Sequence, residues 1–268
     1  MRFTKMQGLG NDYVYVDGTK EDMAADLPGL ARRVSDRRFG IGADGLIWVG
    51  PSALADIRMR IFNADGSEGE MCGNGLRCAG AFARARGLVL RDRMTVETLA
   101  GLRSLVLHRA GGAVVSATAD MGVPRWGPER TLRGPDGPLT VRPVSVGNPH
   151  AVLWCADPAA VDVARLGPVV ERHPSFPRRT NVEFAAVLSP RRLRLRVWER
   201  GSGETPACGT GACAVLTAAV LAGRAARDTE VEAELPGGTL ALRWARDGHL
   251  SLTGPVAAVF EGEFPIET

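Results

Sequence analysis

The chain has 268 residues, enough for one large domain or for two of about 130, and its 45% hydrophobic and 24% charged residues are ordinary for a globular protein. The charge balance is 33 − 30 = +3 with no basic block, so nucleic acid is not an expected partner; nor is a membrane, because the longest nearly uncharged apolar run, 212–223, is far short of the roughly 20 residues a spanning helix needs. Only Lys5 and Lys20 are lysine, which leaves 33 − 2 = 31 arginines and disfavours an enzyme built around a buried Schiff-base lysine and pyridoxal phosphate.

In chain order, strand-like runs occupy 12–17, 45–50, 56–62, 94–99, 102–107 and 113–119, with helical patterns at 28–38 and 74–86. A second set of strands follows at 150–155, 182–188, 193–199, 230–235 and 239–245, with helices at 158–172 and 209–222. Gly87 and Gly223 stand where two of the helices should stop. Strands outnumber helices and the order does not alternate strictly, which predicts an α+β fold. MRFTKMQGLGND has no apolar core of the kind a secretory signal carries.

An internal repeat organises the chain. Shifted by 136 residues, MRIFNADGSEGEMCGNG (59–75) lies over LRVWERGSGETPACGTG (195–211), so that Arg60 meets Arg196, Glu68 meets Glu204, Cys72 meets Cys208, Gly73 meets Gly209 and Gly75 meets Gly211. Shifted by 137, Gly10-Asn11 lies over Gly147-Asn148, each opening a strand. Two diverged half-chains of one design are expected.

The five cysteines, at 72, 78, 155, 208 and 213, are odd in number and sparse, unlike a disulfide scaffold, and point to a reducing cytoplasm. No C-x-x-C or H-x-x-x-H pair occurs and His108, His150, His173 and His249 are scattered, so no metal is expected. Cys78, Cys155 and Cys213 read as small packing residues. Cys72 and Cys208 differ, because the repeat shares their position. In each copy a loop leads to C-G-x-G and an apolar helical run, which places a thiol and unpaired amides at a helix N-terminus, where an anion such as a carboxylate is stabilised. Two such thiols on opposite faces of one carbon could remove and return a proton and so invert a stereocentre.

These residues resemble the diaminopimelate epimerase family. The matching motifs are FTKMQGLGNDYVYVD (3–17), RRFGIGADGLI (37–47), RIFNADGSEGEMCGNGLRC (60–78), VSVGNPHAV (144–152), RTNVEF (179–184) and VWERGSGETPACGTGACA (197–214). The resemblance implies a cofactor-independent cytoplasmic isomerase that converts LL-2,6-diaminopimelate to meso-diaminopimelate, in lysine and peptidoglycan biosynthesis. It implies Cys72 and Cys208 as the acid/base pair, and Gly73, Asn74, Gly209 and Thr210 as donors to the reacting carboxylate. Asn11, Asn63, Asn148, Asn181, Glu199 and Arg200 are then the substrate-gripping residues, and His150 and Glu199 the groups that tune cysteine protonation. Its fold is two pseudo-symmetric domains, each a mixed, barrel-like sheet around a central helix, with the active site in the cleft between them. The halves implied are 1–117 with a final strand at about 256–268, carrying Cys72, and 118–255, carrying Cys208; a homodimer is common in the family. Two positions depart from the pattern, Gln7 where the family often has His and Gly45 where some members have Gln.

Two other readings fit the paired cysteines. One is another two-cysteine racemase or isomerase, such as a proline racemase, although Glu199-Arg200 suits a second amino-acid head that proline lacks. The other is a redox module in which Cys72 and Cys208 form a reversible disulfide.

Overall fold

Alternating polar and apolar residues open the chain as β1 (Arg2–Gly8), and left-handed backbone at Leu9 and Gly10 returns it as the antiparallel β2 (Asn11–Asp17). The computed structural model describes residues 1–20 and 26–266. After β2, helix α1 (Leu27–Ser35), capped by Asp26, crosses over to β3 (Gly45–Gly50), which lies parallel to β2 with Tyr13 opposite Gly45. β3 pairs antiparallel with β4 (Ile57–Asn63), and β4 with the short β5 (Glu68–Gly69). Helix α2 (Gly73–Ala85) then leads to β6 (Arg93–Thr98), parallel to β4, and antiparallel pairing continues through β7 (Gly101–Ala110) to β8 (Ala113–Gly122).

The same plan is laid down again. After β9 (Arg125–Trp126) and β10 (Arg130–Gly134), β11 (Gly137–Ser145) pairs antiparallel with β12 (Pro149–Trp154). A 3-10 turn (Pro158–Ala160) and α3 (Val163–Glu171) cross to β13 (Asn181–Ser189), parallel to β12 with His150 opposite Asn181. β14 (Arg192–Glu199) and β15 (Gly203–Thr205) follow antiparallel; α4 (Gly209–Leu221) leads to β16 (Val231–Leu235), parallel to β14, and to the antiparallel β17 (Gly238–Trp244) and β18 (Leu250–Pro255). The last strand, β19 (Ala257–Glu263), pairs antiparallel with β1. The chain divides into two compact units, residues 1–119 with 254–268 and residues 120–253. Each is a mixed sheet wrapped on one helix, the α+β architecture expected of the sequence. In the first, α2 is buried from Gly73 to Ala83 and packs on β1, β2, β3, β4 and β7; in the second, α4 is buried from Gly209 to Ala219 and packs on β11, β12, β13, β14 and β17.

A second apolar layer lies under the outer helix of each unit. Leu27, Leu30 and Val34 of α1 pack with Phe3, Val14, Val16, Leu46 and Phe62, and Val163 and Val170 of α3 with Leu132, Val141, Leu153, Val182 and Phe184. Burying one such side chain contributes about 1.5–3 kcal/mol.

The structure differs from the periodicity at several places. Helix α1 ends at Ser35, three residues short of the predicted end, because the Asp36 carboxylate accepts from the amides of Arg38 and Phe39 and turns the chain. The run 158–172 is divided: Asp157 caps the 3-10 turn and Asp162 caps α3 anew. β10 and β11 pair as a hairpin that the period-two pattern does not predict, because Pro138 and Pro143 interrupt the β pattern of β11. Gly87 and Gly223 do end their helices, with φ of 72° and 68°. Among the described residues, no helix is long and apolar enough to cross a membrane.

Candidate active site

Cys72 is the N-cap of α2 and Cys208 the N-cap of α4, both with extended backbone. Each hands its carbonyl to the first intrahelical bond, from Leu76 N at 2.8 Å and from Ala212 N at 3.0 Å. The amides of Gly73 and Asn74, and of Gly209 and Thr210, lie in the first turn, beyond the reach of the helix's own carbonyls. Both units therefore present a thiol beside a helix N-terminus that favours negative charge. All five cysteines are thiols.

In the first unit the Cys72 sulfur accepts from the Gly75 amide at 3.2 Å and donates to Asn11 Oδ1 at 3.4 Å. The Asn11 amide also receives Asn74 Nδ2 at 3.5 Å and donates to Asp44 Oδ2 at 2.9 Å. Arg77, wholly buried, forks onto Gly73 O at 3.2 Å and Asn74 Oδ1 at 2.8 Å, which holds the first turn of α2 in place.

The second unit is built on the same positions with different groups. Cys208 is buried, its sulfur 3.5 Å from Thr210 Oγ1. Asn148 Nδ2 donates to that hydroxyl at 3.2 Å, and Asn148 Oδ1 lies 2.9 Å from His150 Nε2. His150 Nδ1 is 2.6 Å from Glu183 Oε1, both side chains fully enclosed. Burial, and then the carboxylates of Glu199 and Glu183, push the Cys208 thiol well above its ordinary range; the Thr210 hydroxyl and Gly211 amide oppose this without prevailing. Burial also raises the Glu199 carboxyl, against the stabilising pull of Thr205, whose hydroxyl donates to it at 2.6 Å, and of Cys208.

The repeated Glu that precedes each cysteine by four residues belongs to the scaffold. Arg60 Nε and Nη2 reach the two Glu68 oxygens at 2.7 and 3.1 Å, and Arg196 reaches the two Glu204 oxygens at the same distances. These forks close the β4–β5 and β14–β15 hairpins that lead to Cys72 and Cys208.

A model of the diaminopimelate epimerase family matches residues 3–127 and 143–259. The chain belongs to the diaminopimelate epimerase family. It is 50% identical over 287 positions to the diaminopimelate epimerase of Desulfovibrio desulfuricans, covering 99% of each chain, and 50% identical over 281 positions to that of Moorella thermoacetica, covering all of both. Among solved structures it matches a PhzF-family phenazine biosynthesis protein of Bacillus anthracis (TM-score 0.79, 17% identity, 99% of both chains). It also matches a hydroxyproline epimerase of Agrobacterium vitis (TM-score 0.72, 17% identity, 98% of this chain and 91% of that one). At such identities these likenesses establish the fold.

The other family positions are spread through the two units. Asn11, Asn74 and Cys72 meet in the first; Asn148, His150, Glu199, Thr210 and Cys208 meet in the second. Asn63 ends β4 and spans its turn, its amide donating to Ser67 Oγ at 3.0 Å. Asn181 braces backbone, giving Nδ2 to Pro149 O at 2.8 Å and accepting from Arg200 N at 2.9 Å, while Arg200 Nη1 reaches Arg178 O. Gln7 accepts from the Gly10 amide. At Gly45 a Cβ would stand 2.1 Å from Phe62 O, so this backbone admits no side chain there and the family Gln is excluded. Sequence reasoning passed over Glu183. Its signal was a lone acid inside the apolar strand NVEFAAVL, buried against the α4 N-terminus, where a Cβ on Gly211 would meet its Oε1 at 2.9 Å.

Proposed function

We propose that the protein interconverts LL- and meso-2,6-diaminopimelate by proton transfer at an α-carbon, with Cys72 and Cys208 as the acid/base pair. The observation that carries this reading is the repeated cysteine at the N-cap of a buried helix in a chain of this family. One thiolate takes the α-proton and the other thiol returns a proton to the opposite face; the roles exchange in the reverse direction. Cys208, whose buried surroundings favour the thiol over the thiolate, is suited to the donor role. Charge that develops on the substrate carboxylate is taken up by the first-turn amides at Gly73 and Asn74 and at Gly209 and Thr210. Asn11, Asn63, Asn148, Asn181, Glu199 and Arg200 bind the substrate, and His150 with Glu199 sets the protonation of Cys208. The two units are the two epimerase halves. The reaction draws on protein groups alone, in the cytoplasm, on the route to lysine and peptidoglycan, and the enzyme works as a homodimer.

The test is incubation with LL-diaminopimelate in deuterated buffer under reducing conditions, followed by chiral analysis. Deuterium is expected at the inverted carbon, and Cys72→Ala and Cys208→Ala are each expected to lower the rate by about 10²–10⁴-fold or more. Full activity in either variant overturns the mechanism.

A further inference from the structure

The two units diverge most sharply behind the cysteines. Tyr13 and Ile47 of β2 and β3 occupy the positions of His150 and Glu183, at offsets of 150 − 13 = 137 and 183 − 47 = 136. Beneath the helix N-terminus, a Cβ on Gly75 would meet Ile47 Cδ1 at 2.7 Å where one on Gly211 would meet Glu183 Oε1 at 2.9 Å. An apolar contact in one unit is a wholly buried His–carboxyl pair in the other. Such a pair is costly to enclose unless its hydrogen bonds are made.

From this pair an unbroken chain of polar contacts runs to the sulfur: Glu183 Oε1 to His150 Nδ1 at 2.6 Å, His150 Nε2 to Asn148 Oδ1 at 2.9 Å, Asn148 Nδ2 to Thr210 Oγ1 at 3.2 Å, and Thr210 Oγ1 to Cys208 Sγ at 3.5 Å. Glu183 Oε2 has no hydrogen-bond partner among the described residues, so His150 is the carboxyl group's one partner there. We propose that Glu183 is a positioning residue for the reaction: it keeps a proton on His150 Nδ1, and Asn148 and Thr210 transmit the state of the opposite ring nitrogen to Cys208. The proposal rests on the reading of Cys208 as a reacting thiol.

Two hydrogen-bond orders satisfy the chain. With a proton on Nε2, the ring donates to Asn148 Oδ1, Asn148 Nδ2 donates to Thr210 Oγ1, and the Thr210 hydroxyl donates to the sulfur, which favours the thiolate. Without it, the Asn148 amide turns over and donates to Nε2, Thr210 donates to Asn148 Oδ1, and the Cys208 thiol donates to Thr210. Loss of the Cys208 proton to substrate therefore favours the order with a proton on Nε2, a proton taken up from solvent water and given back to it when the thiol is restored. No atom is transferred along the chain; each group only reverses its donor direction. Among the described residues, the other titratable group facing these residues is Glu199, which Thr205 holds.

The decisive measurement is the ¹⁵N resonances of His150 in the full-length protein, followed between about pH 6 and 9. Nδ1 is expected to carry a proton throughout; a wild-type ring protonated on Nε2 and bare at Nδ1 overturns the proposal without any variant having to fold. In Glu183→Gln, both tautomers are expected, kcat falls about 10–100-fold with KM within about twofold, and the ascending limb of the kcat–pH profile moves to higher pH. A Glu183 that acted only through its own negative charge would move that limb to lower pH when removed, because that charge disfavours the thiolate; a downward shift or no shift refutes the relay. Thr210→Val should reproduce the upward shift and Thr210→Ser should not. If the wild type epimerises nothing, the functional reading fails while the tautomer measurement still decides the role of Glu183.

Discussion

Cys78 offers a measurement in which the field inside the first unit becomes a stability. Its thiol lies nearly two turns along α2 from Cys72, 1% exposed, and donates to Gln7 O at 3.4 Å. Burial pushes it up to about 11 from an ordinary 9.0, although Arg77 and Tyr15 pull the other way. Because the folded-state value is the higher one, the native protein holds this proton where the unfolded chain has lost it. The associated stability is fully present below pH 9 and is lost as pH rises towards 11. Two units at about 1.36 kcal/mol each give roughly 2.7 kcal/mol. Cys78→Ala removes the titration and, through a small unfilled space, costs about 1 kcal/mol at every pH. Wild type should therefore be more stable than Cys78→Ala by about 1 kcal/mol at pH 7, equal to it near pH 10, and less stable above that. Urea unfolding of both proteins under reducing conditions at stepped pH measures the difference and cancels every other titrating group. A difference that stays constant from pH 7 to about 10.5 refutes the reasoning.

Two further substitutions test the backbone. Gly87→Ala and Gly223→Ala should each destabilise by about 1–2 kcal/mol in denaturant unfolding. Their φ values are 72° and 68° and nothing lies within 4 Å of the added Cβ, so the whole cost is conformational and the two should match. Gly45→Ala should cost about 3 kcal/mol, since its Cβ would press Phe62 O at 2.1 Å and Tyr13 Cε1 at 2.8 Å at the end of the β3–β4 ladder; thermal unfolding within a degree of wild type would contradict the packing.

Much of the fold was legible because it rests on local rules that the chain writes twice. Period-two alternation marked the long strands, the Gly87 and Gly223 stops marked both central helices, and the in-register C-G-x-G motifs separated Cys72 and Cys208 from three packing cysteines. Less legible were elements whose local signals conflict, such as β11 with its two prolines, or α1 and α3, whose bounds depend on which side chain caps which amide.

By itself, the sequence determined the duplication, the central helices and the two thiols at their N-termini, since each follows from residue types within a few positions of one another. Only the tertiary structure decided what surrounds those thiols. The parallel register that sets His150 beside Asn181 also brings Glu183, 33 residues away, to 2.6 Å from that ring. Glu68 and Glu204, equally placed along the chain to serve a cysteine, are turned outward onto Arg60 and Arg196. The physical reason is that a thiol's protonation depends on burial and on charges a few ångströms away, and residues distant along the chain supply both. Two nearly identical motifs thus come to hold their cysteines in different electrostatic surroundings.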